Sequence, residues 1–373
     1  MADEWSDGTR AVRVGSPGHA PGDPFLPGPV FAGTYHLPGE PTGPYQYGRY
    51  ANPTWAGLET AIGALEGAAD TVTFASGMAA VSAVLLGLTG PGDVVVLPSD
   101  GYPATRTVGA HLAERGVEVR TVPTAGDDLE RALPGARLVW LETPSNPGLD
   151  VCDIRRVVEL AHAGGALVAV DNTLATPLGQ LPLALGADIS AASGTKALTG
   201  HSDVLLGYVA CASAELAERV RSWRSLTGAV PGPMEAWLAH RSLSTLQLRV
   251  ERQGANALAV AEALLARPEV TDVRHPALKG DPSYDVATRV MRRFGCVVSF
   301  TLADADTARR FLGALELVAD ATSFGGVHST AERRARWAGN DVAEGFVRFS
   351  AGCEDTADLV ADVLRALDAA SPG

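Results

Sequence analysis

Five short runs rich in Val, Leu and Ile-like residues punctuate the chain between Leu58 and about Val209, with helical periodicity between them. They are Val72-Thr73-Phe74, Val94-Val95-Val96-Leu97, Val117-Glu118-Val119, Leu138-Val139-Trp140-Leu141 and Leu167-Val168-Ala169-Val170. Strands apolar on both faces bury themselves only inside a sheet covered by helices on each side, so this part is expected to be α/β with a mostly parallel sheet. A long helical stretch follows from about Ser244 to Ala266, with Leu246, Val250, Ala257, Ala261 and Leu264 on one face, and it stops before Pro268. Beyond it the strands are fewer and further apart (Val297-Val298-Ser299-Phe300, Phe346-Val347-Arg348-Phe349), which predicts a smaller α+β domain. The expected division is an arm over 1–54, an α/β domain over 55–240 and the smaller domain over 241–373.

The arm is predicted from its breakers. Up to about Thr54 the prolines Pro17, Pro21, Pro24, Pro27, Pro29, Pro38, Pro41 and Pro44 leave no room for a helix or a central strand. Phe25, Phe31, Tyr35, Tyr45, Tyr47 and Tyr50 make the arm too aromatic for a solvated linker. It should lie against a surface, its own or that of a second subunit.

A chain of 373 residues is long enough for about two domains. Its formal charge of −13, without any Lys/Arg-rich block, removes the footprint of a nucleic-acid or anionic-membrane binder. No apolar run reaches the ~18 residues a membrane helix needs. The acidic opening residues carry no apolar secretory stretch, so the cytoplasm is the expected compartment and a small molecule the expected partner. Cys152, Cys211, Cys296 and Cys353 are dispersed and read as buried or incidental thiols, with no metal site.

In a sheet of this kind ligands lie beyond the carboxyl ends of the strands. Ala75-Ser76-Gly77-Met78 follows the first strand and opens a helix, a turn suited to a phosphate but also an ordinary structural turn. Asp171-Asn172-Thr173 ends another strand, where Asp171 is either a ligand-facing carboxylate or a helix cap. Ser193-Gly194-Thr195-Lys196 ends a third strand, and Lys196 is one of only two lysines, the other being Lys279. Together, a strand-end amine flanked by hydroxyls, a helix-opening glycine and a strand-end carboxylate supply what pyridoxal phosphate needs: a Schiff-base amine, a partner for the ring nitrogen and a phosphate cradle.

The ordered set Tyr47-Gly48-Arg49-Tyr50-Ala51-Asn52-Pro53-Thr54, Ser76-Gly77-Met78-Ala79-Ala80, Asp100-Gly101-Tyr102, Glu142-Thr143-Pro144-Ser145-Asn146-Pro147, Val170-Asp171-Asn172-Thr173, Ser193-Gly194-Thr195-Lys196, Gly200-His201-Ser202-Asp203, Ser323-Phe324-Gly325-Gly326 and Arg348-Phe349-Ser350-Ala351-Gly352-Cys353-Glu354-Asp355 runs over nearly the whole chain. It resembles the Cys/Met-metabolism family of fold-type I pyridoxal-phosphate enzymes, the cystathionine γ-lyase and γ-synthase group. The resemblance implies that Lys196 carries the cofactor and shuttles protons, that Asp171 faces the ring nitrogen with Thr173 beside it, and that Tyr102 stacks on the ring and exchanges a proton. It further implies a phosphate site of Gly77, Met78, Ser193 and Thr195, completed by Tyr47 and Arg49 from a neighbouring subunit of a homotetramer. Arg348 would hold the substrate α-carboxylate, helped by Asn146 and Ser323. Glu142, His201, Ser202 and Asp203 read better as supporting or turn residues. Arg348 as a plain strand ion pair and Tyr102 as a helix-start aromatic remain the bland alternatives.

To act as a base, Lys196 must lose several units of proton affinity through burial and nearby cations. The first expectation for the reaction is γ-elimination from cystathionine to cysteine, 2-oxobutanoate and ammonia. γ-Replacement on an acylated homoserine comes second and β-elimination, favoured slightly by the bulky Phe324, third. Ala104 argues against a methionine γ-lyase. Thr322, His328 and the shortened, Arg-rich segment from Ser329 to Asn340 (Arg333, Arg334, Arg336) depart from the family pattern around the pocket mouth. A catalytically silent scaffold is the reading from another class, and the intact Lys196, Asp171, Tyr102 and Arg348 argue against it.

Overall fold

The structure, a computed structural model, describes residues 5–14, 20–339 and 341–370. Met1 to Glu4, Pro17 and Asn340 therefore lie outside the described residues. Seven strands form the larger sheet: β1 (Asp70–Phe74), β2 (Val94–Pro98), β3 (Glu118–Val122), β4 (Leu138–Glu142), β5 (Leu167–Asp171), β6 (Ile189–Ala192) and β7 (Gly207–Cys211). Their spatial order is β1-β7-β6-β5-β4-β2-β3, and β7 alone runs against its neighbours, so the sheet is mostly parallel as its doubly apolar strands require.

Both faces of that sheet are covered. Helices Gly77–Leu88 and Ala214–Thr227 pack Ala83, Val84, Leu85 and Val220 over β1, β2 and β7. Ile154–Ala163 and Tyr284–Val290 cover the other face with Ile154, Val157, Val158 and Ala287. Each aliphatic side chain so buried contributes roughly 1.5–3 kcal/mol relative to exposure. The helix starts are locally determined: Ser76 and Ser213 accept hydrogen bonds from the third residue on, and Pro53, Pro103 and Pro233 stand at first-turn positions where a missing N–H costs nothing.

Five further strands, β8 (Thr271–Arg274), β9 (Val297–Thr301), β10 (Ala319–Asp320), β11 (Thr330–Arg333) and β12 (Phe346–Ser350), form a second sheet in the order β10-β11-β12-β9-β8. Helices Ala305–Ala314 and Thr356–Ala370 and the end of Leu246–Leu265 bury Phe300, Phe311 and Phe349 beneath them. The long helix belongs to both halves. Leu246 and Val250 pack with Trp55, Leu58 and Tyr208 of the larger half, whereas Ala257, Val260 and Leu264 sit in the smaller core.

Two local expectations change. Helix Asp7–Arg13 lies within the segment expected to be an extended arm, and it is tied down by Asp7 to Arg292 and Arg293. Breaker density begins only after it, which is why the arm's prolines say nothing about residues 7–13. Helix Pro53–Glu66 also takes in the last two residues of the arm, because Asn52 caps it and Pro53 is its first residue. From residue 20 to Asn52 the chain has no helix, and a single bridge joins Thr34 to Tyr47.

Candidate active site

The register of the larger sheet sets Glu142, Asp171 and Ala191 side by side at the ends of β4, β5 and β6. Beyond these ends lies a cavity of about 270 Å³, near the lower limit of small-molecule sites at roughly 300 Å³. Gly77, Met78, Tyr102, Asn146, Asp171, Thr173, Ser193, Thr195, Lys196, Ser323 and Arg348, all singled out in the sequence, line it together. Tyr47 and Arg49 do not. Arg49 donates to Ser225 O at 2.6 Å and stacks between Tyr47 and Tyr50 on the protomer surface.

One end of the cavity is built by strand ends. Asp171 Oδ1 accepts from Thr173 N at 3.0 Å, and Thr173 Oγ1 in turn accepts from Ser193 N at 2.8 Å, so the ends of β5 and β6 are stitched together. Burial pushes the Asp171 carboxyl up, against the lowering effect of Thr173. Among the described residues no arginine, lysine or histidine forms an ion pair with it. The turn into helix Gly77–Leu88 presses on the same corner: a Cβ at Gly77 would stand 2.6 Å from Ser193 Cβ, and one at Gly207 would stand 2.1 Å from Ser76 O. Only glycines allow this approach, which leaves the N–H groups at a positive helix end facing the cavity.

Lys196 follows β6 and is largely buried. Its Nζ donates to Ser323 Oγ at 2.7 Å and lies 5.1 Å from the Phe324 ring centre. Burial first, and the Arg348 charge second, lower its proton affinity to about 8, opposed by Glu332. This is the direction and the pair of causes that base chemistry requires. Thr195 lines the cavity, and its hydroxyl donates to Leu206 O at 3.1 Å and accepts from Leu206 N at 2.9 Å, which pins the lysine loop to the chain entering β7.

The other end spans both halves of the molecule. Arg348, on β12 and 4% exposed, donates from Nη1 to Asn146 Oδ1 at 2.8 Å and from Nη2 to Ser323 O at 3.1 Å, and it pairs with Glu332 on β11. Burial, followed by the charge of Arg334, brings its proton affinity down to about 10. Tyr102 caps the helix Pro103–Ala113 and is 43% exposed, with its ring at the cavity. Glu142 is a supporting residue: Oε2 accepts from Tyr102 N at 2.7 Å and Oε1 from Asn146 N at 3.0 Å, so one buried carboxylate sets both. Burial and then Asp171 raise its proton affinity well above the usual range. His201, Ser202 and Asp203 form the exposed turn expected of them, with His201 Nδ1 2.6 Å from Thr199 O.

Sequence reasoning missed the polar stripe of helix Leu246–Leu265. Arg249 donates to Ala197 O, Leu198 O and Ser242 O, Gln253 to Gly325 O and Gly326 O, and Asn256 to Gly352 O and Glu354 O. The loops that carry Lys196 and Ser323 and the turn that follows β12 are thus held by one helix face. The signal was available: polar residues at 249, 253 and 256 fall on the same stripe as Leu246, Val250 and Ala257, where an apolar face should be uninterrupted.

The corner formed by Asp171, Gly77, Ser193 and Lys196 fits pyridoxal phosphate. A buried carboxylate without a cation suits a protonated ring nitrogen, the helix end suits a phosphate, and the buried amine suits the aldehyde.

Comparison with known proteins agrees. A 366-residue match, 64% identical, covers 97% of this chain and 93% of a candidate cystathionine γ-lyase of Streptomyces coelicolor. The cystathionine γ-synthase of Mycobacterium bovis is 40% identical over 87% of each chain. A crystal structure of cystathionine γ-synthase from Xanthomonas oryzae pv. oryzae in complex with cystathionine superposes with a TM-score of 0.94 at 34% identity, over 98% of both chains. The family model for Cys/Met metabolism PLP-dependent enzymes matches residues 30–368, and the chain belongs to that family.

Proposed function

We propose that this enzyme carries out γ-elimination on a sulfur amino acid, with cystathionine as substrate and cysteine, 2-oxobutanoate and ammonia as products. The observation that carries the reading is the buried Lys196 amine, held at 2.7 Å by Ser323 Oγ and reduced in proton affinity to about 8, beside the substrate-facing Arg348. Bound pyridoxal phosphate supplies an electron sink for the negative charge that develops when protons leave the substrate carbons. The protein does the rest.

Asp171 would hold a positive charge on the ring nitrogen, and the Ser76–Met78 turn with Ser193 would bind the phosphate. Arg348 and Asn146 orient the α-carboxylate by charge-assisted hydrogen bonds. Lys196, with its proton affinity near 8, would be about half neutral at pH 8 and able to take a proton from one substrate carbon and return it elsewhere. Ser323 keeps Nζ pointed along that path. Tyr102 closes the open side and donates to the departing sulfur. Tyr47 and Arg49, displaced from this cavity, complete the phosphate site of a second subunit in a cytoplasmic homotetramer, which gives the aromatic arm a task.

The test is product analysis with L-cystathionine as the sole substrate. Release of 2-oxobutanoate is expected. Silence with cystathionine, together with thioether formation from an acylated homoserine and a thiol, would move the enzyme to γ-replacement.

A further inference from the structure

Residues 194–199 form a tight turn after β6, and the turn closes as a helix does. Thr199 N donates to Gly194 O at 3.1 Å and Gly200 N to Lys196 O at 2.9 Å, and Gly200 ends the turn in the left-handed conformation at φ 71°. Such an ending offers no internal partner to its last carbonyls, those of Ala197 and Leu198. Arg249 supplies one from helix Leu246–Leu265. It is 6% exposed, and it donates from Nη1 to Ala197 O at 2.6 Å and from Nη2 to Leu198 O at 3.0 Å and Ser242 O at 2.9 Å, while Nε donates to Thr245 Oγ1 at 3.2 Å. Among the described residues no carboxylate forms an ion pair with it, and the titratable group beside it is Cys353. The negative face of a turn's last carbonyls favours a cation, and a planar guanidinium can grip several of them at once. Gly200 fits the same contact, since a Cβ there would overlap Arg249 Nη1.

Lys196 stands one residue before the first of these carbonyls, so a hold on the turn is a hold on the root of the lysine side chain. The loop of Ser323 presses on the same turn: a Cβ at Gly325 would stand 2.6 Å from Ala197 N, and Val327 N donates to Gly200 O at 2.9 Å. The lysine loop is therefore gripped by a helix and by a loop, and the burial of Nζ depends on both. The charges around Nζ come from other elements. Arg348 on β12 and Glu332 on β11 act on it, and Asp171, Glu142, Tyr102 and Arg334 line the same cavity.

We propose that Arg249 is a positioning residue for the cofactor-binding amine: by holding the carbonyls of Ala197 and Leu198 it keeps Lys196 buried beside Ser323 and Arg348, in the place where it meets pyridoxal phosphate. This rests on reading Lys196 as the amine that takes the cofactor.

The test follows capture of pyridoxal phosphate by cofactor-free wild-type, Arg249→Lys and Arg249→Met proteins in stopped flow across pH, with hydrogen exchange of the Thr199 and Gly200 amides on the same samples. Wild-type capture should level off at about 8. A loosened turn lets the amine move toward the ordinary lysine value of about 10.4. The levelling pH should then rise by about one unit in Arg249→Met, which slows capture at pH 7 about tenfold, and by less in Arg249→Lys, which keeps the charge without the fork. Thr199 and Gly200 should exchange faster, while Val209 and Ala210 in β7 keep their protection. Where Arg249→Met does not fold, Arg249→Lys decides alone by the same two readouts. A levelling pH that stays at the wild-type value in the folded variants, or unchanged exchange at Thr199 and Gly200, would overturn the proposal, even if Tm falls. Capture lost in Lys196→Ala leaves the lysine reading standing in that case, whereas capture retained in Lys196→Ala would overturn both.

Discussion

The two ends of the cavity are assembled by different means. At the Asp171–Lys196 end, neighbouring parallel strands deliver their last residues to one place, and contacts such as Thr173 to Ser193 follow from sheet register. At the Arg348 end, residues 202 positions apart meet in the Arg348–Asn146 contact, and the wall is a cluster of charges from β11, β12 and the turn that follows. The first end is a consequence of topology and suits a function that does not change, holding a coenzyme. The second depends on which side chains fill a loop, so it can alter substrate choice without disturbing the fold.

Paired substitutions at the two ends should separate these roles. With Asp171 in its proposed place beside the ring nitrogen, Asp171→Ala should lower kcat by about 10³-fold, with the far-ultraviolet spectrum unchanged. With Arg348 in its proposed role at the substrate α-carboxylate, Arg348→Gln should cost about 10²-fold in kcat/KM, chiefly through KM, leaving cofactor absorbance intact. Steady-state kinetics that put both losses in KM, or both in kcat, would erase the distinction between the ends.

A smaller effect concerns pH. Only a neutral amine attacks an aldehyde, so the rate at which cofactor-free protein captures pyridoxal phosphate should rise about tenfold per pH unit below about 8 and level off above it. An ordinary lysine would keep accelerating toward about 10.4. Stopped-flow reconstitution across that range distinguishes the two. A plateau that appears only near the higher value would mean that burial and Arg348 do not act on Lys196 as described.

The same contrast governs what the sequence made readable. The edge strands β1 (DTVTF) and β3 (EVRTV) were marked only by their β-branched residues, whereas β2, β4 and β5 were legible because doubly buried parallel strands are almost pure aliphatic runs. β8, β10 and β11 were not. Thr271–Arg274 and Thr330–Arg333 are short, polar strands of a mostly antiparallel sheet, and their pairing is set by neighbours remote in sequence. Arg348 was identified through its motif, but Glu332 and Arg334 as its companions were hidden, since charge clusters form only once the fold is closed. Thr195 shows a finer limit. The motif marks its position, whereas the direction of its hydroxyl, toward Leu206, is decided by a strand that lies beyond the lysine loop. Arg249, Gln253 and Asn256 could have been noticed as polar residues on an apolar stripe, though their three target loops could not.

The central claim is that one amine holds the coenzyme. With Lys196 and Lys279 as the only lysines, borohydride reduction of the cofactor-loaded enzyme followed by peptide mass spectrometry assigns it directly. The pyridoxyl mass should appear on the peptide containing Lys196 and be lost in Lys196→Ala. Its appearance on Lys279, or on neither lysine, would contradict the account.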